Sequence, residues 1–99
     1  MANANKVELV RIRGETSVHI DAEVTDEGDL VLMGQDFGAA PGEMSGDNHH
    51  EYWLRIPAAE KDRALLALLE KYLGGNGMLI SELRACLDSK GIDCQFFSH

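Results

Sequence analysis

The stretch TSVHIDAEV, residues 16–24, places a polar side chain between apolar or small ones at every second position. Successive side chains of a strand point to opposite faces, so this alternation predicts a strand with one face toward a core and one toward water. A turn, TDEGD at 25–29 with Gly28 as its permissive residue, and the apolar run LVLMGQDF at 30–37 follow. The pattern is typical of an antiparallel meander.

On the N-terminal side, residues 1–5 are expected to form a disordered tail, and KVELVRIR at 6–13 is expected to form the first strand. The apolar period of this strand slips between Leu9 and Val10, which predicts a bulge or two covered faces. Gly14 and Glu15 would close the hairpin as a two-residue turn of type II′.

On the C-terminal side, GAAPGEMSGDN at 38–48 reads as a long loop, and HHEYWLRI at 49–56 as a fourth strand that Pro57 ends. The alternation divides this strand into two faces. One face carries His50, Tyr52, Leu54 and Ile56, and the other carries His49, Glu51, Trp53 and Arg55.

Two helices are predicted at about 58–73 and 78–90, with Gly91 as the C-terminal cap of the second. The expected buried stripes are Leu65, Leu68, Leu69, Tyr72 and Leu73, then Leu79 or Ile80, Leu83, Cys86 and Leu87. A short last strand is expected at 93–97. These elements predict a two-layer α+β fold, with about four antiparallel strands followed by two helices, as one domain over residues 6–99.

The net charge of −8 lies entirely in the first half, because residues 1–51 hold eleven acids and three bases. Such a chain is expected to bind neither nucleic acid nor an anionic membrane, both of which are bound through lysine and arginine. It should attract basic partners. No transmembrane run and no secretory signal are recognisable, which predicts a cytoplasmic protein in which Cys86 and Cys94 stay reduced.

The segment DNHHE at 47–51 contains four potential zinc ligands. In a strand only His49 and Glu51 would share a face, with His19 or Asp47 as conceivable additions, so no metal site is predicted. Nucleophile and phosphate-loop motifs are not found either, and the sequence predicts no catalytic residue and no cofactor.

Two functions remain open. The first is a non-enzymatic acidic interaction module, such as an immunity-type or nucleic-acid-mimicking inhibitor of a basic protein. Its expected contact residues are Asp21, Glu23, Asp26, Glu27, Asp29, Trp53 and Arg55, because carboxylates steer basic partners and Trp and Arg dominate interface hot spots. Trp53 could instead be covered by the loop 38–48 or by Phe96 and Phe97.

The alternative is a small-molecule-binding protein or minor enzyme, with a pocket between loop 38–48 and strand 49–56. Its polar groups would be Asp36, His49 and Tyr52. The chain would be a monomer, or a homodimer formed through an unpaired edge strand or the Phe96–Phe97 end.

The motifs LVLMGQDFG followed by a proline, EYWLRIP, a leucine-rich helix and a terminal GI…FFS resemble a family of small uncharacterised bacterial single-domain proteins. The resemblance spans about residues 28–98. It implies a bacterial source and a stand-alone domain, and it implies no activity.

Overall fold

The computed structural model describes residues 5–38 and 49–98. It contains four strands, a 3₁₀ turn and two helices. They are β1 (Lys6–Ile12), β2 (Thr16–Val24), β3 (Leu30–Gly38), β4 (His49–Ile56), the turn Ala58–Glu60, α1 (Lys61–Leu73) and α2 (Leu79–Ser89). The predicted α+β fold, a four-stranded antiparallel sheet followed by two helices, is confirmed. The predicted tail and long loop fall outside the described ranges, apart from their end residues Asn5 and Gly38.

The chain divides into two compact units, residues 1–64 and residues 65–99. The sheet and the first residues of α1 belong to the first unit. The rest of α1, α2 and the C-terminal segment belong to the second. The expected single domain and the expected layering of sheet and helices stay predictions.

The sheet has the order β1-β2-β3-β4 with every neighbouring pair antiparallel. The pairing of β3 with β4 runs without interruption from Leu30 opposite Ile56 to Phe37 opposite His49. The pairing of β1 with β2 shifts register between Glu8 and Val10. The bulge that the slipped apolar period predicts at Leu9 is therefore confirmed.

Residues directly opposite each other on neighbouring strands share a face, so the register assigns every side chain of the sheet to one of two faces. We call one the apolar face; its members include Val10, Val18, Ile20, Ala22, Leu32, Leu54 and Ile56. We call the other the polar face; it carries His19, Asp21, Glu51 and Trp53. Both faces of β2 are at least partly covered over most of its length, since eight of its nine residues are half-buried.

Glycines confirm one predicted turn and correct another. Gly28 has φ of 89° in the β2–β3 turn, as its role there requires. Gly14 is not among the glycines with positive φ, which a type II′ turn demands at this position. The predicted type II′ turn is wrong because β1 ends at Ile12 and β2 begins at Thr16, so three residues connect the strands.

The two helices begin and end close to their predicted limits. Gly91 has φ of 72°, its N–H donates to the Asp88 carbonyl at 3.1 Å, and the N–H of Ile92 donates to the Leu87 carbonyl at 3.0 Å. This pair of hydrogen bonds is a Schellman motif, which confirms the predicted cap. Asn76 precedes α2 and accepts a hydrogen bond from the Met78 N–H at 2.9 Å.

The predicted buried stripes are only partly right. Leu69, Leu73, Leu79, Leu83 and Leu87 are half-buried, at helical spacing. The remaining predicted members are exposed, namely Leu65, Leu68, Tyr72, Ile80 and Cys86. Helical spacing identifies one side of a helix, and only the positions nearest the middle of that side are covered here.

Residues 93–97 do not form the predicted last strand. Instead, residues 94–97 run along α2 and line a depression with Ile80, Leu83, Arg84 and Leu87. The guanidinium of Arg84 lies 4.5 Å from the centre of the Phe96 ring. Packing along a helix provides no ladder of backbone partners, so an apolar segment with strand-like composition stays irregular.

Candidate functional site

The polar face of the sheet holds most of the charged residues that the sequence singles out. Four rows cross it, of which the first three span all four strands and the last spans β2, β3 and β4. The rows are Lys6, Glu23, Val31 and Arg55; Glu8, Asp21, Met33 and Trp53; Arg11, His19, Gln35 and Glu51; and Ser17, Phe37 and His49.

Trp53 is the most exposed aromatic side chain of this face, at 62% of its full area. It lies opposite Met33 on β3 and borders a shallow depression of about 210 Å³. Polar groups of His19, Asp21 and Glu51 line the same depression. Of the two interpretations of Trp53, the exposed one fits the part of the chain that the structure describes.

Three basic side chains of the polar face contact a carboxylate of the same chain, whereas Arg13, which lines a depression of this face with Ser17 and Gln35, forms no ion pair among the described residues. The pairs are Lys6–Asp21 at 4.0 Å, Arg11–Glu8 at 2.6 Å and Arg55–Asp29. Within residues 5–38 and 49–98, Glu23, Asp26, Glu27 and Glu51 have no such partner. The uncompensated negative charge of this surface therefore rests on these four carboxylates.

Three of the four lie in one sequence segment at the end of β2. Asp26 and Glu27 are exposed in the β2–β3 turn, and Glu23 precedes them on the polar face. They line one depression together with Asn5 and Thr25. Three carboxylates around a concave surface favour a lysine or arginine side chain as the contacting group.

Asp29 belongs to the same turn but is engaged within the chain. Its carboxylate accepts a hydrogen bond from the Ala58 N–H at 2.8 Å and pairs with Arg55. The Ala58 hydrogen bond, followed by Arg55, holds the pKa of the Asp29 carboxyl below its usual value. Asp29 thus ties the β2–β3 turn to the start of the helical segment.

A group of side chains that the sequence did not identify lies around His19. Its Nε2 is 3.1 Å from Glu8 Oε2 and 3.2 Å from Asp21 Oδ1. One ligand atom from each of the three residues lies within 4.8 Å of the others, as a divalent cation would require. Hydrogen bonding from Arg11 lowers the pKa of Glu8, and Lys6 approaches Asp21, so the group is already an ion-pair network.

The sequence could not identify this group because Glu8 and His19 are eleven positions apart and belong to different strands. Only the register after the bulge places Glu8 opposite Asp21 and diagonal to His19. The alternation of β2 did place His19 and Asp21 on one face, and this was the part of the group that the sequence could indicate.

The three residues of the alternative pocket are not brought together. Asp36 and Tyr52 lie on the apolar face, where the Tyr52 hydroxyl donates to Asp36 Oδ1 at 2.7 Å. This hydrogen bond raises the pKa of Tyr52 above its usual value. His49 lies on the polar face and stacks on Phe37, with ring centres 4.3 Å apart. Most of the loop that would close this pocket lies outside the described residues.

In the second unit, Cys86 and Cys94 are free thiols and both are exposed. Phe97 is 76% exposed. In the ranges that the structure describes, no helix combines the length and the apolar character needed to cross a membrane.

Comparison with known proteins found no matching family model, no matching curated protein and no matching solved structure. The resemblance to small bacterial proteins stays a prediction.

Proposed function

We propose that the protein is a non-enzymatic interaction module of the cytoplasm that binds a basic protein through the polar face of its sheet. An inhibitor of the immunity type, or one that mimics the charge of a nucleic acid, fits this chemistry. One observation carries the proposal: Trp53 stands exposed on a face where three basic side chains are paired with carboxylates of the same chain, and where, in the described ranges, the unpaired carboxylates outnumber the one unpaired base, Arg13.

The carboxylates divide into two groups with different roles. Asp21 and Asp29 already pair with Lys6 and Arg55 of the chain, so they would support binding indirectly, by holding these side chains in place on the surface. Glu23, Asp26 and Glu27 are available to arginine and lysine side chains of the partner. Electrostatic attraction of this kind speeds association and falls steeply with salt.

Trp53 would supply the packing part of the interaction. An exposed tryptophan loses a large apolar area from water when a partner covers it, and such residues dominate the binding energy of interfaces. Arg55 lies two positions along the same face of β4 and would add hydrogen-bond donors at the rim.

The test has two steps. The tagged chain is first used to recover partners from the native host. The binding constant for a recovered basic protein, and its dependence on salt, are then measured. The triple variant Glu23→Gln, Asp26→Asn, Glu27→Gln removes the available acids. A matched variant, Asp62→Asn, Glu70→Gln, Asp88→Asn, removes the same charge from the two helices.

We expect the first variant to slow association and flatten the salt dependence, and the helical variant to change neither. Trp53→Ala should speed dissociation with little effect on association, because packing contacts act after encounter. Equal salt dependence for the two triple variants would rule out the acidic face as the binding surface.

A further inference from the structure

Strand β4 forms one edge of the sheet and is regular along its whole length. It pairs with β3 through eight consecutive residues, and no other strand of the described residues pairs with its outer side. An edge strand presents a row of backbone N–H and C=O groups to which a further strand can hydrogen-bond.

The opposite edge, β1, is less suited to strand addition. Its register is broken by the bulge at Leu9, and the cationic side chains of Lys6 and Arg11 flank the break. Bulges and charged residues of this kind are the usual protection of an exposed edge. The two edges therefore differ, and of the described strands β4 is the edge better suited to adding a strand.

The sequence of β4 is complementary to itself when it runs antiparallel to a second copy. We propose that two copies of the chain pair through β4 about a two-fold axis at Trp53. In this register Glu51 of each copy lies opposite Arg55 of the other, and Tyr52 of each lies opposite Leu54 of the other. Opposite charges and an aromatic–aliphatic pair across neighbouring strands both stabilise an antiparallel ladder.

Other registers lack this match. A shift of one residue would put polar-face side chains opposite apolar-face ones, because the side chains of a strand alternate. A shift of two residues opposes Trp53 to Glu51 in one direction and to Arg55 in the other, and forms no Glu–Arg pair. The register centred on Trp53 forms two such pairs.

The side chains concerned are accessible in the single chain. Trp53 and Leu54 are 62% and 59% exposed, and Tyr52 is also exposed. Arg55 contacts Asp29, yet its side chain keeps 60% of its area exposed. A guanidinium has five N–H donors, so it can bind Asp29 and Glu51 of the second copy together.

The pairing is closed, because a two-fold interface uses the same surface on both copies and leaves no further β4 edge to extend. It joins two sheets into one of eight strands and places the two Trp53 side chains next to each other on a continuous polar face. The acids of the proposed partner-binding surface, Glu23, Asp26 and Glu27, take no part in it.

The first measurement is sedimentation equilibrium of the unmodified chain up to about 1 mM, where a dimer has twice the chain mass of 10.9 kDa. Glu51→Arg places two arginines opposite each other at both ends of the pairing, and we expect it to raise the dissociation constant about tenfold or more. Glu15→Arg, the same change in the β1–β2 turn, is the matched control and should leave the constant unchanged.

A mixing experiment tests the register itself. Glu51→Arg and Arg55→Glu should each dissociate alone, while an equimolar mixture should form a one-to-one heterodimer, because both charge pairs are restored across the interface. Circular dichroism checks that each variant is folded. A mixture that stays monomeric, or a Glu51→Arg dimer as tight as that of the Glu15→Arg control, would overturn the proposal.

Hydrogen exchange on the unmodified chain gives a test without any substitution. Backbone amides of β4 should exchange more slowly as the protein concentration rises, and those of β1 should not respond. A monomer throughout the concentration range, or equal protection of both edges, contradicts pairing through β4.

Discussion

Gly34 lies on the apolar face of the sheet, directly opposite Tyr52, and is the one buried residue among those described. A Cβ atom placed on Gly34 would lie 2.1 Å from Tyr52 Cε2 and 2.4 Å from Cζ. Carbon atoms in contact are about 3.5–4.0 Å apart, so the tyrosine ring must move if a methyl group is added. Its hydroxyl is held by Asp36 at 2.7 Å, so that movement also breaks a hydrogen bond.

The expected effect of Gly34→Ala is a loss of about 1–2 kcal/mol in the free energy of unfolding. Overpacking costs about 1–3 kcal/mol, and the reduced backbone freedom of alanine in the unfolded chain returns about 0.4–1 kcal/mol. For a domain of this size the melting temperature should fall by about 4–16 °C. Thermal unfolding followed by circular dichroism measures it.

Gly14→Ala is the matched control, because the nearest atom to its added Cβ is the Thr16 carbonyl oxygen at 3.8 Å and its φ is not positive. The reasoning further requires that Gly34→Ala cost less in a Tyr52→Leu background, where no ring occupies the space. If Gly34→Ala melts at the temperature of the Gly14→Ala control, or if its cost is the same in both backgrounds, the tyrosine ring does not rest on this glycine.

Three further expectations concern side chains that form hydrogen bonds within the chain. Asp29 has a depressed pKa in the folded chain because a backbone N–H of the 3₁₀ turn and an arginine bind its carboxylate. Its contribution to stability is therefore present above its ordinary pKa and is lost as the pH falls through the folded value. The free energy of unfolding of Asp29→Asn should fall less below about pH 4 than that of the wild type, and Asp26→Asn is the control that should follow the wild type. Tyr52 should ionise at lower pH in Asp36→Asn than in the wild type, as measured by ultraviolet absorbance, because the carboxylate that raises its pKa is gone; an unchanged titration would show that the hydrogen bond is not kept in solution. Asn76→Ala should cost about 1 kcal/mol and reduce the helical signal, because its side chain binds a backbone N–H at the start of α2; unaltered helicity would contradict this role.

Local signals in the sequence predicted much of the sheet. The alternation of residues 16–24 and 49–56 gave the strands and the face of each side chain, and the slipped period gave the bulge at Leu9. Gly28 and Gly91 were recognised because only glycine readily adopts a positive φ at a turn or helix end. These features depend on neighbours in the chain, which a sequence displays directly.

Features that depend on distant residues were missed or misjudged. The contacts of His19 with Glu8 and Asp21 follow from cross-strand register, which alternation does not contain. The sequence indicated a group of acids at and after the end of β2, but it did not show that Asp29 is already bound by Arg55. The predicted last strand failed because strand-like composition does not supply a neighbouring strand.

The bulge at Leu9 has a consequence for insertions and deletions. Glu8 and Val10 pair with Asp21 and Ile20, which are themselves consecutive, so Leu9 is the one residue of β1 that the ladder does not use. Its deletion would leave each of those partners and the face of every other side chain as they are. The β1 edge, however, would become regular. Further copies of the chain could then pair with β1 as well as with β4. We expect a Leu9 deletion to fold and to be less soluble than the wild type, because its β1 edge would then be regular.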